Sequence, residues 1–188
     1  MNAALRSAST LLVELGPELT SIPAIADHCG VPRASIYQFF SDKYQLFARL
    51  AEMHLAQVET ALRKAVERAP VREWTELAER LIEAAAAYYN ANEVASILVL
   101  GGPFSRSGFL AQEVTTTSIG GAIRELMAAT SPALVLPRKP DVATFAVEIA
   151  FACMKHGYYR DGRISKSTRA QALMATVAYL SAWSRSGI

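Results

Sequence analysis

The fold of this chain is decided by residues 20–47, which read TSIPAIADHCGVPRASIYQFFSDKYQLF. The segment predicts two short helices joined by a tight turn. Ser21 is a good N-cap for a helix over residues 22–28. Gly30 can adopt the positive φ that breaks this helix, and Pro32 then opens a second helix that extends to about residue 39. This pattern is typical of a helix-turn-helix.

The two predicted helices have distinct apolar and polar faces. Ile22, Ile25 and Ala26 form the apolar face of the first helix, and Ile36 and Phe40 can close a small core from the second. An arginine can bind guanine or phosphate, a glutamine can pair with adenine, and small residues permit close approach to DNA. Residues of these kinds lie on the outer face of the second helix: Arg33, Ala34, Ser35, Tyr37 and Gln38.

The segment resembles the signature of the TetR (tetracycline-repressor-like) family of transcriptional regulators. The matching elements are a Ser cap, Ile-Ala, Gly-Val, a small pair before Ile-Tyr, then Phe and Lys. The resemblance covers residues 5–50, and the rest of the chain is similar only in length and helical layout. In this sequence the elements are Ser21, Ile25-Ala26, Gly30-Val31, Ala34-Ser35, Ile36-Tyr37, Phe40 and Lys43.

The resemblance implies a role for each residue in DNA binding. Ser21, Tyr37 and Lys43 would hold phosphates, Lys43 with help from a helix N-terminus. Base edges would face Arg33, Ala34, Ser35 and Gln38. Two positions depart from the family pattern, since Phe39 stands where His is usual and Pro32 where a Ser or Thr cap is usual. In this sequence, residues 1–5 carry no basic side chain of the kind that often precedes the first helix in this family.

Helical periodicity dominates the rest of the chain, and no convincing alternating pattern indicates a strand. We predict an all-α protein with an N-terminal three-helix helix-turn-helix head. By resemblance, a C-terminal helical body binds a ligand and dimerises. The predicted domains are residues 1–48 and 49–188. Further helices are predicted over residues 3–15, 42–68, 71–90, 93–100, 109–129, 141–159 and 168–184.

The resemblance also implies that helices of the body surround a cavity for a small effector. Few charges occupy inward positions, which favours an apolar or aromatic effector. Hydroxyl groups over residues 115–118 could line a pocket, and Gly120-Gly121 would let another helix approach closely. Ordinary core packing is the alternative for each of these residues. The candidate ligand-binding residues are Trp74, Leu81, Tyr88, Phe104, Phe109, Thr116, Phe151, Met154 and Tyr158.

The last two predicted helices have faces rich in alanine and other residues that permit tight packing. By resemblance, these helices form a four-helix interface with a second copy of the chain. The alternative is packing within one chain. The candidate interface residues are Ala146, Ala150, Cys153, Leu173, Val177 and Leu180.

Composition and motifs limit the remaining possibilities. Hydrophobic residues make up 52% and charged residues 19%, which is typical of a globular protein. No apolar run approaches the roughly 20 residues of a membrane span, and no signal peptide is visible. Cys29 and Cys153 lie far apart and neither belongs to a C-x-x-C pair, so we expect no disulfide framework and a location in the reducing cytoplasm. No catalytic set, metal spacing or phosphate loop is visible, so we expect no enzyme activity, cofactor or metal.

The distribution of charge in the N-terminal region argues against DNA binding. Residues 1–68 contain seven basic and seven acidic side chains, so the basic surface usual for DNA-binding domains is absent. We predict a homodimeric repressor that a small ligand releases from a near-palindromic duplex operator, with activation as the other regulatory outcome. Two alternatives do not bind DNA, a helical carrier of apolar ligands and a protein-interaction scaffold.

Overall fold

The structure, a computed structural model, describes residues 1–67 and 72–185, and within these ranges it contains helices and no strand. The all-α prediction is confirmed. A π-helical turn, Ser96–Leu100, directly follows the sixth helix. The helices are α1 Asn2–Leu19, α2 Ile22–Cys29, α3 Arg33–Tyr37, α4 Lys43–Glu67, α5 Trp74–Ala91, α6 Glu93–Ala95, α7 Arg106–Ala128, α8 Val142–Asp161 and α9 Lys166–Arg185.

Some helix ends agree with the local signals in the sequence, and others differ from the predicted ones. Within α1, Gly16 has the non-helical angles φ 77° and ψ 169°, so regular helix ends there, where Gly16-Pro17 predicts a stop. The helix α3 is shorter than predicted, and its N-cap Pro32 provides no side-chain hydrogen bond. The predicted end of α4 at residue 68 and the predicted start of α5 at residue 71 lie outside the described residues.

The chain divides into two compact units. Unit 1 comprises residues 1–55 and 92–112, and unit 2 comprises the described residues of 56–91 and 113–188. The helices α4 and α7 therefore each begin in unit 1 and end in unit 2. Unit 1 includes a second segment, 92–112, that lies far from the helix-turn-helix in sequence. That residues 1–48 act as a separate DNA-binding domain stays a prediction.

An apolar core holds unit 1 together. Leu12, Ile25 and Leu46, from α1, α2 and α4, are fully buried in it. Leu98, from the π-helical turn, is 97% buried in the same cluster, and Phe104 packs against it. Burying a side chain of this size contributes about 1.5–3 kcal/mol relative to leaving it exposed. Burial of these side chains therefore holds α1, α2 and α4 against one another.

In unit 2, α8 packs along α9, and α5 packs against α9. Gly157 of α8 makes the crossing with α9 tight, because a Cβ there would lie 2.5 Å from Thr168 Cγ2. The side chain of Asn90, in α5, forms two hydrogen bonds with the backbone of Ile164, which lies in the turn between α8 and α9. Its Nδ2 donates to Ile164 O at 2.9 Å, and its Oδ1 accepts from Ile164 N at 2.8 Å.

A polar cluster fixes the start of α8 against α7. Asp141 caps α8 by accepting from Thr144 N at 3.3 Å and from Thr144 Oγ1 at 2.8 Å, and Arg124 of α7 donates to the same carboxylate. Burial acts to raise the pKa of Asp141, but the hydrogen bonds from Thr144 and the charge of Arg124 outweigh it and lower this pKa. The carboxylate is therefore held ionised at neutral pH.

The two adjacent glycines of α7 differ in their surroundings. A Cβ on Gly120 would lie 2.4 Å from Thr144 Oγ1 and 2.8 Å from Thr144 Cα, whereas a Cβ on Gly121 would meet nothing within 4 Å. The close helix approach that the sequence suggests therefore exists at Gly120, and the approaching helix is α8 of the same chain. No helix within the described ranges combines the length and hydropathy needed to cross a membrane.

We expect Gly120→Ala to destabilise the protein by about 1–3 kcal/mol, because the new methyl group displaces Thr144 and disturbs the cap of α8. Gly121→Ala is the matched control, and we expect it to be neutral or to stabilise by up to about 1 kcal/mol through helix propensity. Urea unfolding of both variants measures the difference. Equal stabilities would contradict the close approach at Gly120.

Candidate nucleic-acid interface

Local hydrogen bonds build the helix-turn-helix as the sequence predicts. Ser21 Oγ caps α2 by accepting from Ala24 N at 3.3 Å. Gly30 ends α2 in the left-handed conformation, with φ 65°, and its N–H donates to Ala26 O. At the next residue, Val31 N also donates to Ala26 O, at 3.2 Å. The turn is therefore defined by backbone bonds that depend on a glycine at position 30.

The apolar side of α3 is buried, which determines what its other side presents. Ile36 is 3% exposed and Phe40, just after α3, is 7% exposed, and both belong to the core of unit 1. The outer residues are exposed by contrast, with Tyr37 49% and Phe39 58% accessible. Ser21, Ser35 and Lys43 are half-buried. The exposed candidates are Arg33, Ala34, Tyr37, Gln38 and Phe39.

Arg33, the cation on this face, is engaged by a neighbouring carboxylate. Its Nη2 lies 3.1 Å from Asp27 Oδ2 and 3.3 Å from Asp27 Oδ1. Both side chains are more than half exposed, at 56% and 69%. Exposed ion pairs contribute about 0–1 kcal/mol, so a stronger anion can displace Asp27 at little cost. Sequence reasoning missed Asp27, although its position in α2, six residues before Arg33, is compatible with such a pair.

Lys43 has a structural role that the sequence did not indicate. Its Nζ donates to Pro17 O at 2.8 Å and to Glu18 O at 2.9 Å, near the end of α1. The same nitrogen lies 5.5 Å from the ring centroid of Tyr44. Lys43 therefore joins the start of α4 to the end of α1. One of its three N–H donors is left for a phosphate, so the predicted role and this one can coexist.

Side chains already occupy the N-terminus of α4. Asp42 Oδ1 accepts from Gln45 N at 2.9 Å, and Gln45 Oε1 accepts from Ser41 N at 3.0 Å. This reciprocal arrangement resembles a capping box and places a carboxylate where a helix otherwise attracts anions. The help that the helix N-terminus was expected to give Lys43 in phosphate binding is therefore reduced by Asp42.

Residues 92–112 contribute to unit 1 in a way that the sequence analysis did not anticipate. The rings of Phe104 and Phe47 meet edge to face, with centroids 6.2 Å apart. The helix α6 and the π-helical turn also contact α1. Residues 97–100 form an ordinary apolar run in the sequence, and no local signal reveals that this segment completes the core beneath the helix-turn-helix.

The structure distributes the candidate ligand-binding residues over both units. Leu81 lines a cavity of about 280 Å³ in unit 2, whereas Phe104 lines a cavity of about 20 Å³ in unit 1. Phe109 is 54% exposed on α7. Thr116 and Met154 are buried, and the remaining candidates are half-buried, namely Trp74, Tyr88, Phe151 and Tyr158. Leu81 and Phe104 thus line separate cavities.

The candidate dimer residues face mainly into their own chain. Ala146 is 3% exposed and Leu180 is fully buried, which leaves neither any surface for a second copy. The expectation for these two residues needs correction, because close packing within unit 2 uses the small faces of α8 and α9. The other four are half-buried, namely Ala150, Cys153, Leu173 and Val177. Larger apolar groups are exposed instead, with Phe145 56% and Met174 65% accessible.

These features define a class of protein, an all-helical chain whose N-terminal helix-turn-helix exposes a short second helix. Residues 4–50 match the model of the bacterial regulatory proteins of the tetR family. This match agrees with the resemblance in sequence, and the chain has the all-α fold of solved TetR-family regulators. The family consists of regulatory proteins and not of enzymes.

Solved structures of low sequence identity share the fold over nearly the whole chain. A TetR-family transcriptional regulator from Streptomyces coelicolor superposes with a TM-score of 0.74 at 19% identity, covering 96% of this chain and 97% of that one. The fatty acid degradation regulator FadR from Bacillus halodurans gives 0.67 at 16%, covering 95% and 93%. The regulator PfmR from Thermus thermophilus gives 0.59 at 21%, covering 97% and 94%. No curated protein matches the chain.

Proposed function

We propose that this protein is a homodimeric transcriptional repressor that binds a near-palindromic DNA operator and is released from it by a small ligand. The observation that carries the proposal is the exposed outer face of α3, within a segment that matches the tetR family model. The buried side chains Ile36 and Phe40 orient this face away from the core. In a helix-turn-helix, the second helix enters the major groove and contacts base edges.

We propose that DNA replaces the intramolecular partner of Arg33. A phosphate or the O6/N7 edge of guanine can accept two hydrogen bonds from Arg33, whereas the exposed Asp27 carboxylate engages only its Nη2. Tyr37, which is half exposed and follows Arg33 by four residues, would donate its hydroxyl to a phosphate. Phe39 can make apolar contact with a thymine methyl group or a sugar. A face of this kind depends more on shape and contacts than on a high positive charge.

Two substitutions should change duplex binding in opposite directions. We expect Tyr37→Ala to weaken binding to DNA from upstream of the protein's own gene about tenfold or more, because a phosphate contact is lost. Asp27→Asn should strengthen binding about threefold, since it releases Arg33 and removes a negative charge that faces phosphate. Electrophoretic mobility shifts at two salt concentrations measure both effects.

The matched control for Asp27→Asn is Glu52→Gln, which releases Arg49 from an exposed ion pair on α4. It removes the same charge from unit 1 but leaves α3 and its partner unchanged, so we expect a smaller effect. Normal binding by Tyr37→Ala, or equal gains for Asp27→Asn and Glu52→Gln, would contradict the proposed use of α3.

We propose that dimerisation uses the exposed faces of α8 and α9. The helix α8 exposes Phe145, Ala152 and Tyr159, and α9 exposes Met174 and a row of alanines. Large exposed apolar side chains on neighbouring helices favour burial against another protein surface. The alanines Ala170, Ala178 and Ala182 would let a second pair of helices approach closely.

We expect Met174→Glu to convert a dimer into a monomer, because it would place two charges in an apolar interface. Light scattering coupled to size-exclusion chromatography compares the particle mass with the 20.4 kDa of one chain. Ala87→Glu is the control, since it adds the same charge to an exposed position of α5. A Met174→Glu variant that keeps twice the chain mass would exclude this face as the interface.

We propose that α4 and α7 carry the ligand signal. The cavity of about 280 Å³ in unit 2 is lined by the C-terminal parts of both helices. Both helices begin in unit 1, where α4 is joined to α1 through Lys43. A ligand that favours one position of these helices would thereby favour one arrangement of the DNA-binding face, which is the coupling that release requires.

A further inference from the structure

The cavity in unit 2 has an apolar floor and a charged rim. Leu62, Leu81 and Ile119, which come from α4, α5 and α7, are 6–9% exposed and form the floor. Smaller and half-buried apolar groups extend it along α7. With about 280 Å³ of space, the cavity lies near the lower end of the range for small-molecule sites. The floor therefore suits a compact hydrocarbon or aromatic group.

Among the residues that the structure describes, four charged ones line this cavity, and three of them are carboxylates. Arg63 Nη2 lies 2.7 Å from Glu59 Oε1, so this cation already has a carboxylate partner. Glu67, at the end of α4, and Glu125, on α7, are exposed and leave two negative charges in excess. The hydrogen bond and charge of Glu59, with smaller contributions from Glu67 and Glu125, raise the pKa of Arg63. All three carboxylates therefore act on one small region.

From this juxtaposition we propose that the cavity binds a small amphipathic cation, whose apolar body lies on the floor and whose ammonium or amidinium head lies between Glu67 and Glu125. The inference rests on the proposed function, because it names the chemical class of the effector. A carboxylate or phosphate ligand would meet repulsion from the carboxylates Glu59, Glu67 and Glu125, which outnumber the one described cation of the lining, Arg63. A neutral apolar ligand would use the floor but gain nothing from the rim.

The carboxylates of this cavity favour cations, whereas the net charge of the whole molecule favours anions. The chain carries a formal net charge of +2, so non-specific attraction favours anions. If the protein binds cations in preference to anions, the cause must therefore be the carboxylates of the cavity, because the net charge of the protein acts in the opposite direction. This opposition makes head-group charge a sensitive test of the site.

The test uses three probes that share an eight-carbon tail and differ in the head group, namely octyltrimethylammonium, 1-octanol and octanoate. Isothermal titration calorimetry of the full chain measures the affinities, with the two ionic probes below their micelle concentrations and 1-octanol below its solubility limit. We expect octyltrimethylammonium to bind at least tenfold more tightly than octanoate, with 1-octanol between them. Two exposed carboxylates at about 4–6 Å account for a difference of this order.

The variant Glu67→Gln/Glu125→Gln keeps the shape of the rim and removes its excess charge. We expect it to bind octyltrimethylammonium about five- to tenfold more weakly and to bind 1-octanol as the wild type does. Glu113→Gln is the matched control, because Glu113 is an exposed glutamate of α7 that does not line this cavity. It should leave all three affinities unchanged.

Three results would overturn the inference. These are octanoate binding as tightly as the cation, unchanged cation binding in the double variant, and no binding of any probe. A mobility shift with upstream duplex DNA, made on the same preparation, separates this failure from failure of the proposed function. A salt-sensitive shift without cation binding would retain the regulator and reject the ligand class, whereas cation binding without a shift would support the site and reject the DNA-binding role.

Discussion

The apolar core of unit 1 is the constraint on which the candidate DNA-binding surface depends. Ile25 and Leu46 are fully buried there, and Ile36 connects the short helix α3 to them. A five-residue helix has little stability of its own, so its position is determined by tertiary packing. The exposure of Tyr37 and Phe39 is thus a consequence of what Ile36 and Phe40 bury.

The same core extends to residues that belong to another part of the sequence. Leu98 and Phe104 come from the segment between α5 and α7, yet they complete the packing beneath α1, α2 and α4. Because α4 and α7 run from unit 1 into unit 2, a change in the body has direct covalent routes to this core. A regulator needs such a connection between its ligand and its DNA-binding surface.

The balance of charge around α3 differs from that around the cavity in unit 2. Around α3, positive and negative charges balance, and Arg33 and Lys43 are both engaged by groups of their own chain. In unit 2, the carboxylates Glu67 and Glu125 exceed the cations that line the cavity. The first arrangement favours selective contacts over non-specific attraction to DNA, and the second favours a cation as the ligand.

The sequence predicted those features that follow from local rules. Ser21 and Gly30 determine the ends of α2 by hydrogen bonds within a few residues, so cap and turn signals located them. Packing between residues that are distant in the sequence was not predicted, since nothing in the apolar run around Leu98 indicates which core it joins. On α8 and α9 the helices were predicted, but Ala146 and Leu180 lie inside the chain, because small residues serve equally well at an intrachain crossing and at a dimer interface.

The central claim is that two α3 helices of a dimer bind adjacent turns of one face of a DNA duplex. Hydroxyl-radical footprinting of the wild-type protein on DNA from upstream of its own gene tests this claim most directly. The account predicts two protected half-sites related by a near-palindrome, with centres about 10 base pairs or a multiple of this apart. A single protected site, or uniform weak protection along the duplex, would contradict it.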